Sequence, residues 1–204
     1  KKLEECIVQG QYTAGSSNGK PVRSYLEEEG VAEHSRVNTF VAMQLRSSME
    51  QWKDVPFYVR SGKRLPKKET RISLQFFEPR SKEMGKNTSP NRLDLILQGE
   101  AGMRFVLQTK VGGTEPTFRP LVMEDPLVCV GDCLPEHGIL LLEAIHGRKN
   151  WFLDFDEVRT AWKLVDPIQT LLADAKTPLH LYEAGSEGPE AAKEWIEKDG
   201  LKWF

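Results

Sequence analysis

Apolar and polar positions alternate most cleanly over residues 70–77, where Ile72, Leu74 and Phe76 fall on one face and Arg71, Ser73 and Gln75 on the other. A period of two is that of a half-buried β-strand. The alternation recurs where Leu93, Leu95 and Leu97 are separated by Asp94 and Ile96, and Gly99-Glu100-Ala101-Gly102 joins that run to another at 103–111. So short a connection predicts an antiparallel hairpin. Upstream, 37–46 and 55–60 are rich in strand formers and predict two further strands. Downstream, 119–130 predicts one more, and Pro126 assigns it to a sheet edge or a bulge. From about Asp132 the period lengthens. Ile139, Leu140, Leu142, Glu143 and Ile145, and then Val158, Ala161, Trp162, Leu164 and Val165, have helical spacing. Asp154 or Asp156 would cap the second of these helices, and Pro167 would break or kink it. A third helix is expected after Pro189, carrying Ala191, Ala192, Trp195 and Ile196. By contrast, Gly10, Gly15, Gly19, Pro21 and Gly30 punctuate the stretch from Gln9 to Glu33, which reads as an irregular connection. Strands followed by helices, with no internal repeat, predict an α+β fold: a large, mostly antiparallel sheet and then C-terminal helices. A single domain is expected, with 1–35 an irregular connecting segment, 36–131 mainly sheet and 132–204 mainly helical.

Composition narrows the classes without choosing among enzymes. The chain has 204 residues, 39% hydrophobic and 28% charged, the make-up of an ordinary globular protein rather than a disordered, collagenous or coiled-coil one. No apolar run reaches the roughly 18–20 residues of a membrane-spanning helix, so no membrane partner is expected. A net charge of −2 lacks the basic excess of a protein that binds nucleic-acid backbones. Cys6, Cys129 and Cys133 are an odd set without C-x-x-C spacing, which fits a reduced, cytoplasmic protein and no metal site. The sequence opens at Lys1 within a charged, helix-like stretch, which reads as a processed or excised piece.

Most of the chemical motifs fail on spacing. Gly15-Ser16-Ser17-Asn18-Gly19-Lys20 has three residues between its glycines where a phosphate-cradling P-loop needs four, and Pro21 follows the lysine. It reads as a flexible turn. No G-x-G-x-x-G fingerprint follows any expected strand, so the residues assign no Rossmann coenzyme domain to this chain. His34, His137, His146 and His180 are scattered without a metal-ligand spacing, and Gly185-Ser186-Glu187-Gly188-Pro189 is a turn rather than a nucleophile elbow. Arg60-Ser61-Gly62-Lys63-Arg64-Leu65-Pro66-Lys67-Lys68 is different, with five cations in nine residues of a slightly acidic chain. A glycine that permits close backbone approach, with lysine ammoniums as point charges, suits a phosphorylated or otherwise anionic ligand. The same run also fits a plain solvated loop.

These residues resemble the glucose-6-phosphate dehydrogenase family, specifically its C-terminal α+β domain, over nearly the whole chain. Gln9-Gly10-Gln11-Tyr12 with Thr13-Ala14-Gly15 is similar to the family's R-G-Q-Y-x-x-G segment. Tyr25-Leu26, Glu29-Gly30-Val31 and Thr39-Phe40-Val41-Ala42 follow in order. Trp52 with the run from Val55 to Leu65 resembles W-x-x-V-P-F-Y-x-R-(T or S)-G-K-x-L, the most specific stretch. Asp156-Glu157-Val158 with Ala161-Trp162, then Asp166-Pro167-Ile168, and Tyr182 with Ala184-Gly185-Ser186 and Gly188-Pro189 complete the match. The resemblance implies oxidation of glucose 6-phosphate at carbon 1 to 6-phosphogluconolactone, with hydride passed to NADP, in the pentose phosphate pathway. It implies substrate binding by Lys63, and by a second cation at Lys68 with Lys67 as the adjacent candidate. It implies a homodimer or tetramer formed through the sheet.

The departures matter equally. The family's coenzyme domain, its D-H-Y-x-G-K-E segment and its general-base histidine have no counterpart in these residues, so no catalytic residue is assigned here. The chain alone is expected to be inactive, with NADP bound mainly by its own N-terminal coenzyme domain and no cofactor bound by this chain itself. Glu136-His137-Gly138 stands where relatives read A-Y-E, which loses the tyrosine, and the arginine of that segment is lost as well. Glu69 and Ser73 stand where animal relatives use cations for a structural NADP, so no such site is expected. The alternative is a stand-alone, non-catalytic descendant that binds a sugar phosphate or a partner.

Overall fold

A strand lies where the irregular connection was expected. In the computed structural model, which describes residues 3–17, 19–78, 89–128, 131 and 134–204, a 3-10 turn over Leu3–Cys6 leads into β1 (Ile7–Thr13). The breakers that suggested irregularity lie mostly beyond it. Only Gly10 falls inside β1, and it is there for space: a Cβ would sit 3.1 Å from the His180 carbonyl oxygen and from Pro189 Cγ. β1 is buried from Val8 to Tyr12, polar residues included. Gln9 Nε2 donates to the Leu172 carbonyl at 3.1 Å, and Gln11 Nε2 donates to the carbonyls of Ser35 and Val37 at 3.0 and 2.9 Å. The remainder of the expected connection holds a small ribbon, β2 (Gly15–Ser17) paired with β3 (Lys20–Val22).

The described residues form two compact units, Lys1–Lys67 with Arg148–Trp203, and Lys68–Gly147 with Phe204. In the first, β4 (Phe40–Arg46) and β5 (Pro56–Gly62) join β1 and β10 (Leu179–Glu183) in a four-stranded sheet of order β10-β1-β4-β5. β1 runs antiparallel to β4 and parallel to β10. Val8, Tyr12, Phe40, Ala42, Tyr182, Ala184 and Ala192 make the core, with Tyr182 edge-on to Tyr12 and Phe40 at 6.4 and 5.7 Å between ring centroids. β10 is a strand within the mainly helical C-terminal third that helical spacing did not predict. Its five residues sit between two helices and are too few for a strand period to stand out.

Those helices are α2 (Phe155–Ala173) and α3 (Glu190–Glu197). Asp154 caps α2 as expected, accepting from the Glu157 amide at 2.8 Å while the Glu157 carboxylate accepts from the Asp154 amide. Pro167 does not break α2, which continues through it to Ala173. The carbonyl that Pro167 fails to satisfy belongs to Lys163 on an exposed stretch, where water can take it.

The second unit is a meander of β6 (Thr70–Gln75), β7 (Arg92–Gln98), β8 (Gly102–Lys110) and β9 (Phe118–Pro126), followed by α1 (Glu136–Ile145). All its pairings are antiparallel. The expected large sheet is therefore divided, four strands in each unit, within an α+β fold that is mostly antiparallel. Register aligns Leu74, Leu93, Phe105 and Met123 across one face, with Ile72, Leu95 and Met103 in the next row. The other face carries the row Ser73, Asp94, Arg104 and Glu124, where Asp94 is fully buried, accepts from Ser73 Oγ at 2.7 Å and pairs with Arg92 Nε at 3.0 Å. β9 is an edge strand, as Pro126 suggested. The expectations for Cys129, Asp132 and Cys133 lie outside the described residues, as does that for Asn18.

Candidate functional site

The cationic run begins where β5 ends. Gly62 pairs with Phe40, and a Cβ at Gly62 would lie 2.8 Å from the Phe40 ring, so only glycine lets the chain leave the sheet this close to the core. The next three residues are pinned in succession. The Lys63 amide donates to the Thr39 carbonyl at 2.8 Å, and the Lys63 carbonyl accepts from the Tyr182 hydroxyl at 2.8 Å. The Arg64 carbonyl accepts from the Gly185 amide at 2.7 Å, and Arg64 itself takes a left-handed φ of 53°, uncommon for a residue other than glycine. Leu65 packs against the core. Backbone at Lys63 is thus held from both sides, while its side chain is exposed.

Carboxylate partners divide the five cations. Arg60 pairs with Glu187 at 3.0 Å and lies over the Trp203 ring, 5.2 Å from its centroid. Arg64 pairs with Glu28 at 3.2 Å. Lys63, Lys67 and Lys68 are exposed, and none has an ion pair among the described residues. Lys63 and Lys67 belong to the first unit and Lys68 opens the second. Among the described residues only Lys63 of the three has its backbone anchored by tertiary hydrogen bonds.

Tyr182, Thr39, Tyr12 and Glu28 support this loop, and spacing alone gave them no role. Tyr182, Thr39 and Tyr12 lie inside the motifs that carry the family resemblance, which was the one available signal. Burial pushes the Tyr182 phenol above its ordinary pKa, against an opposing pull from the Thr39 hydroxyl. Tyr12 is pushed up too, first by burial and then by its hydrogen bond to Glu28 at 3.0 Å. The Arg64 guanidinium is pushed up by its bonds to Tyr12 and Glu28.

No group of three His, Cys, Asp or Glu among the described residues could hold a metal ion, and no described helix is long and apolar enough to cross a membrane.

The family described as glucose-6-phosphate dehydrogenase, C-terminal domain, matches residues 1–204. The chain is similar to glucose-6-phosphate 1-dehydrogenase of Bacillus subtilis (strain 168), 35% identical over 208 residues that take in 100% of this chain and 42% of that protein. It is similar to the enzyme of that name from Aggregatibacter actinomycetemcomitans, 36% identical over 203 residues, 98% of this chain and 41% of that protein. Two solved structures share the fold. Glucose-6-phosphate 1-dehydrogenase from Mycobacterium avium gives a TM-score of 0.79 at 28% identity, covering 98% of this chain and 40% of that one. A glucose-6-phosphate dehydrogenase in complex with its substrate glucose-6-phosphate gives 0.80 at 26% identity, covering 98% and 42%. This chain spans about two fifths of the length of the curated relatives it matches. With the family matched from end to end and its fold reproduced, the chain belongs to the glucose-6-phosphate dehydrogenase C-terminal domain family.

Proposed function

We propose that this chain is the substrate-side and oligomerisation domain of an NADP-dependent glucose-6-phosphate 1-dehydrogenase, and that Lys63 binds the sugar phosphate with help from Lys68 or Lys67. The observation that carries the reading is the contrast at Lys63. Its peptide unit is fixed by Thr39 and Tyr182, while its ammonium has no ion-pair partner among the described residues. A cation held on a rigid base loses little freedom on meeting a phosphate dianion, and its charge is not already neutralised. The relatives' name and the substrate in one solved neighbour support glucose 6-phosphate as that ligand.

Glu69 and Ser73 do not suit the 2'-phosphate of a dinucleotide. Glu69 is acidic and paired with Arg71 at 2.6 Å, and the Ser73 hydroxyl is turned to buried Asp94. A 2'-phosphate there would meet a carboxylate in place of a free cation. NADP is therefore assigned to an N-terminal coenzyme domain, and no step of hydride transfer is assigned to residues of this chain, which alone would be inactive. Self-association is assigned to the apolar face of the β6–β9 sheet, where Ile72, Met103, Phe105, Leu121 and Met123 are exposed. A cytoplasmic location fits the exposed, lysine-rich loop and a sugar-phosphate substrate.

The test is Lys63→Ala in the native enzyme. Removing a charge-assisted contact to phosphate is expected to raise KM for glucose 6-phosphate about 10- to 100-fold, with kcat much less affected. An unchanged KM would sink the role given to Lys63.

A further inference from the structure

On the first unit, a second cluster of cations faces a cleft of ≈ 440 Å³ to which Lys63 does not contribute. The β2–β3 ribbon and the residues after it supply Ser17, Lys20 and Arg23, and Glu28 and Arg64 complete the wall. Three cations meet one carboxylate, so the cleft carries a net positive charge. Glu28 is already engaged twice, by the Tyr12 hydroxyl at 3.0 Å and by Arg64 Nη2 at 3.2 Å. Glu27 feels the charge of Arg23, yet its carboxylate accepts from the Ser24 amide at 2.9 Å. Lys20 and Arg23 form no ion pair among the described residues.

Arg64 is the fixed point of the cluster. Its carbonyl is bonded to Gly185, its φ is left-handed, and its guanidinium is braced by Glu28 and Tyr12. Arginine has five N–H donors, and this bracing leaves most of them for a ligand. A preorganised guanidinium fork beside a second guanidinium and a lysine ammonium, with a serine hydroxyl near by, is the chemistry that recognises a phosphate group. The space exceeds what a bare phosphate fills and lies within the range of small-ligand sites. We propose that this cleft binds a phosphate-bearing small molecule through Arg64, Lys20 and Arg23, at a site separate from the ammonium of Lys63. The proposal does not depend on the dehydrogenase reading, since it concerns binding alone.

Calorimetric titration of the native protein with inorganic pyrophosphate, at constant chloride and physiological ionic strength, tests it. Saturable binding is expected, about tenfold weaker in Lys20→Ala and weaker again by a similar factor when Arg23→Ala is added. Both side chains are exposed and outside the core, so these variants are expected to fold. Lys63→Ala is expected to leave the affinity of the cleft unchanged while removing any separate binding at the lysine loop. Absence of saturable binding, or equal affinity in the Lys20→Ala, Arg23→Ala double variant, overturns the proposal. So does loss of binding in Lys63→Ala alone, which would assign the pyrophosphate to the lysine loop.

Discussion

Tyr182 has one hydroxyl proton, and its surroundings decide where it goes. The Tyr12 amide donates to Thr39 Oγ1 at 3.0 Å, and because the Tyr182 proton goes to a carbonyl, Thr39 is the donor in the 3.0 Å contact between the two hydroxyls. Tyr182 then donates onward to the Lys63 carbonyl at 2.8 Å, nearer than the Thr39 carbonyl at 3.1 Å. A one-way chain of donors thus runs from a buried strand to the lysine loop. Cutting it leaves a threonine hydroxyl and a carbonyl with fewer partners in a buried place. Tyr182→Phe is expected to cost roughly 1–3 kcal/mol, read as a lower urea midpoint at unchanged m. A midpoint equal to the parent's would mean that water replaces the hydroxyl at no cost. The nine-residue cationic run was legible in the sequence, but its division was not. Glu28 and Glu187 are 36 and 127 residues from the arginines they neutralise, and no local pattern reaches that far.

Strands with a long, uninterrupted alternation were readable, whereas β1, where Val8 and Tyr12 alternate with Gln9 and Gln11, was hidden by Gly10 among the glycines that read as breakers. β6, β7 and β8 each set leucines, isoleucine or phenylalanine on one side and Ser73, Asp94 or Arg104 on the other, so their period showed. β1 hides polar side chains as deeply as apolar ones, with Gln9 at 2% and Gln11 at 3% exposure against Tyr12 at 6%. Its glutamines are satisfied by carbonyls 24 to 163 residues away, information that a short window does not contain. The start of α2 was legible because its cap is local. Asp154→Ala removes the acceptor for the Glu157 amide and is expected to cost about 1 kcal/mol, whereas Asp154→Asn should retain most of it. Equal midpoints for all three proteins in urea would show that the cap contributes nothing. The helix's passage unbroken through Pro167 was not legible, because the cost of the missing amide depends on whether water reaches the orphaned carbonyl.

At the scale of the molecule, the β6–β9 sheet has an apolar face that its own unit leaves open, with Phe105 36%, Met103 42% and Met123 44% exposed. Apolar area of this kind, in register across neighbouring strands, is what self-association buries. Met123→Glu is expected to shift the native protein to a smaller species in light scattering while its circular dichroism stays that of the parent. An unchanged mass would remove this face from the interface. The parallel pairing of β1 with β10 bears on synthesis as much as on the finished fold. β1 leaves the ribosome well before β10, the strand that covers its second edge and ends at Glu183. At roughly 5–20 residues per second, translation takes about 10 to 30 s to bridge that interval. Lys68–Gly147 is continuous in the chain and can fold within that time, but β1 waits with a row of unpaired amides and carbonyls along one side. A message cut short before the codon for Leu179 would yield a product in which that edge of β1 stays open.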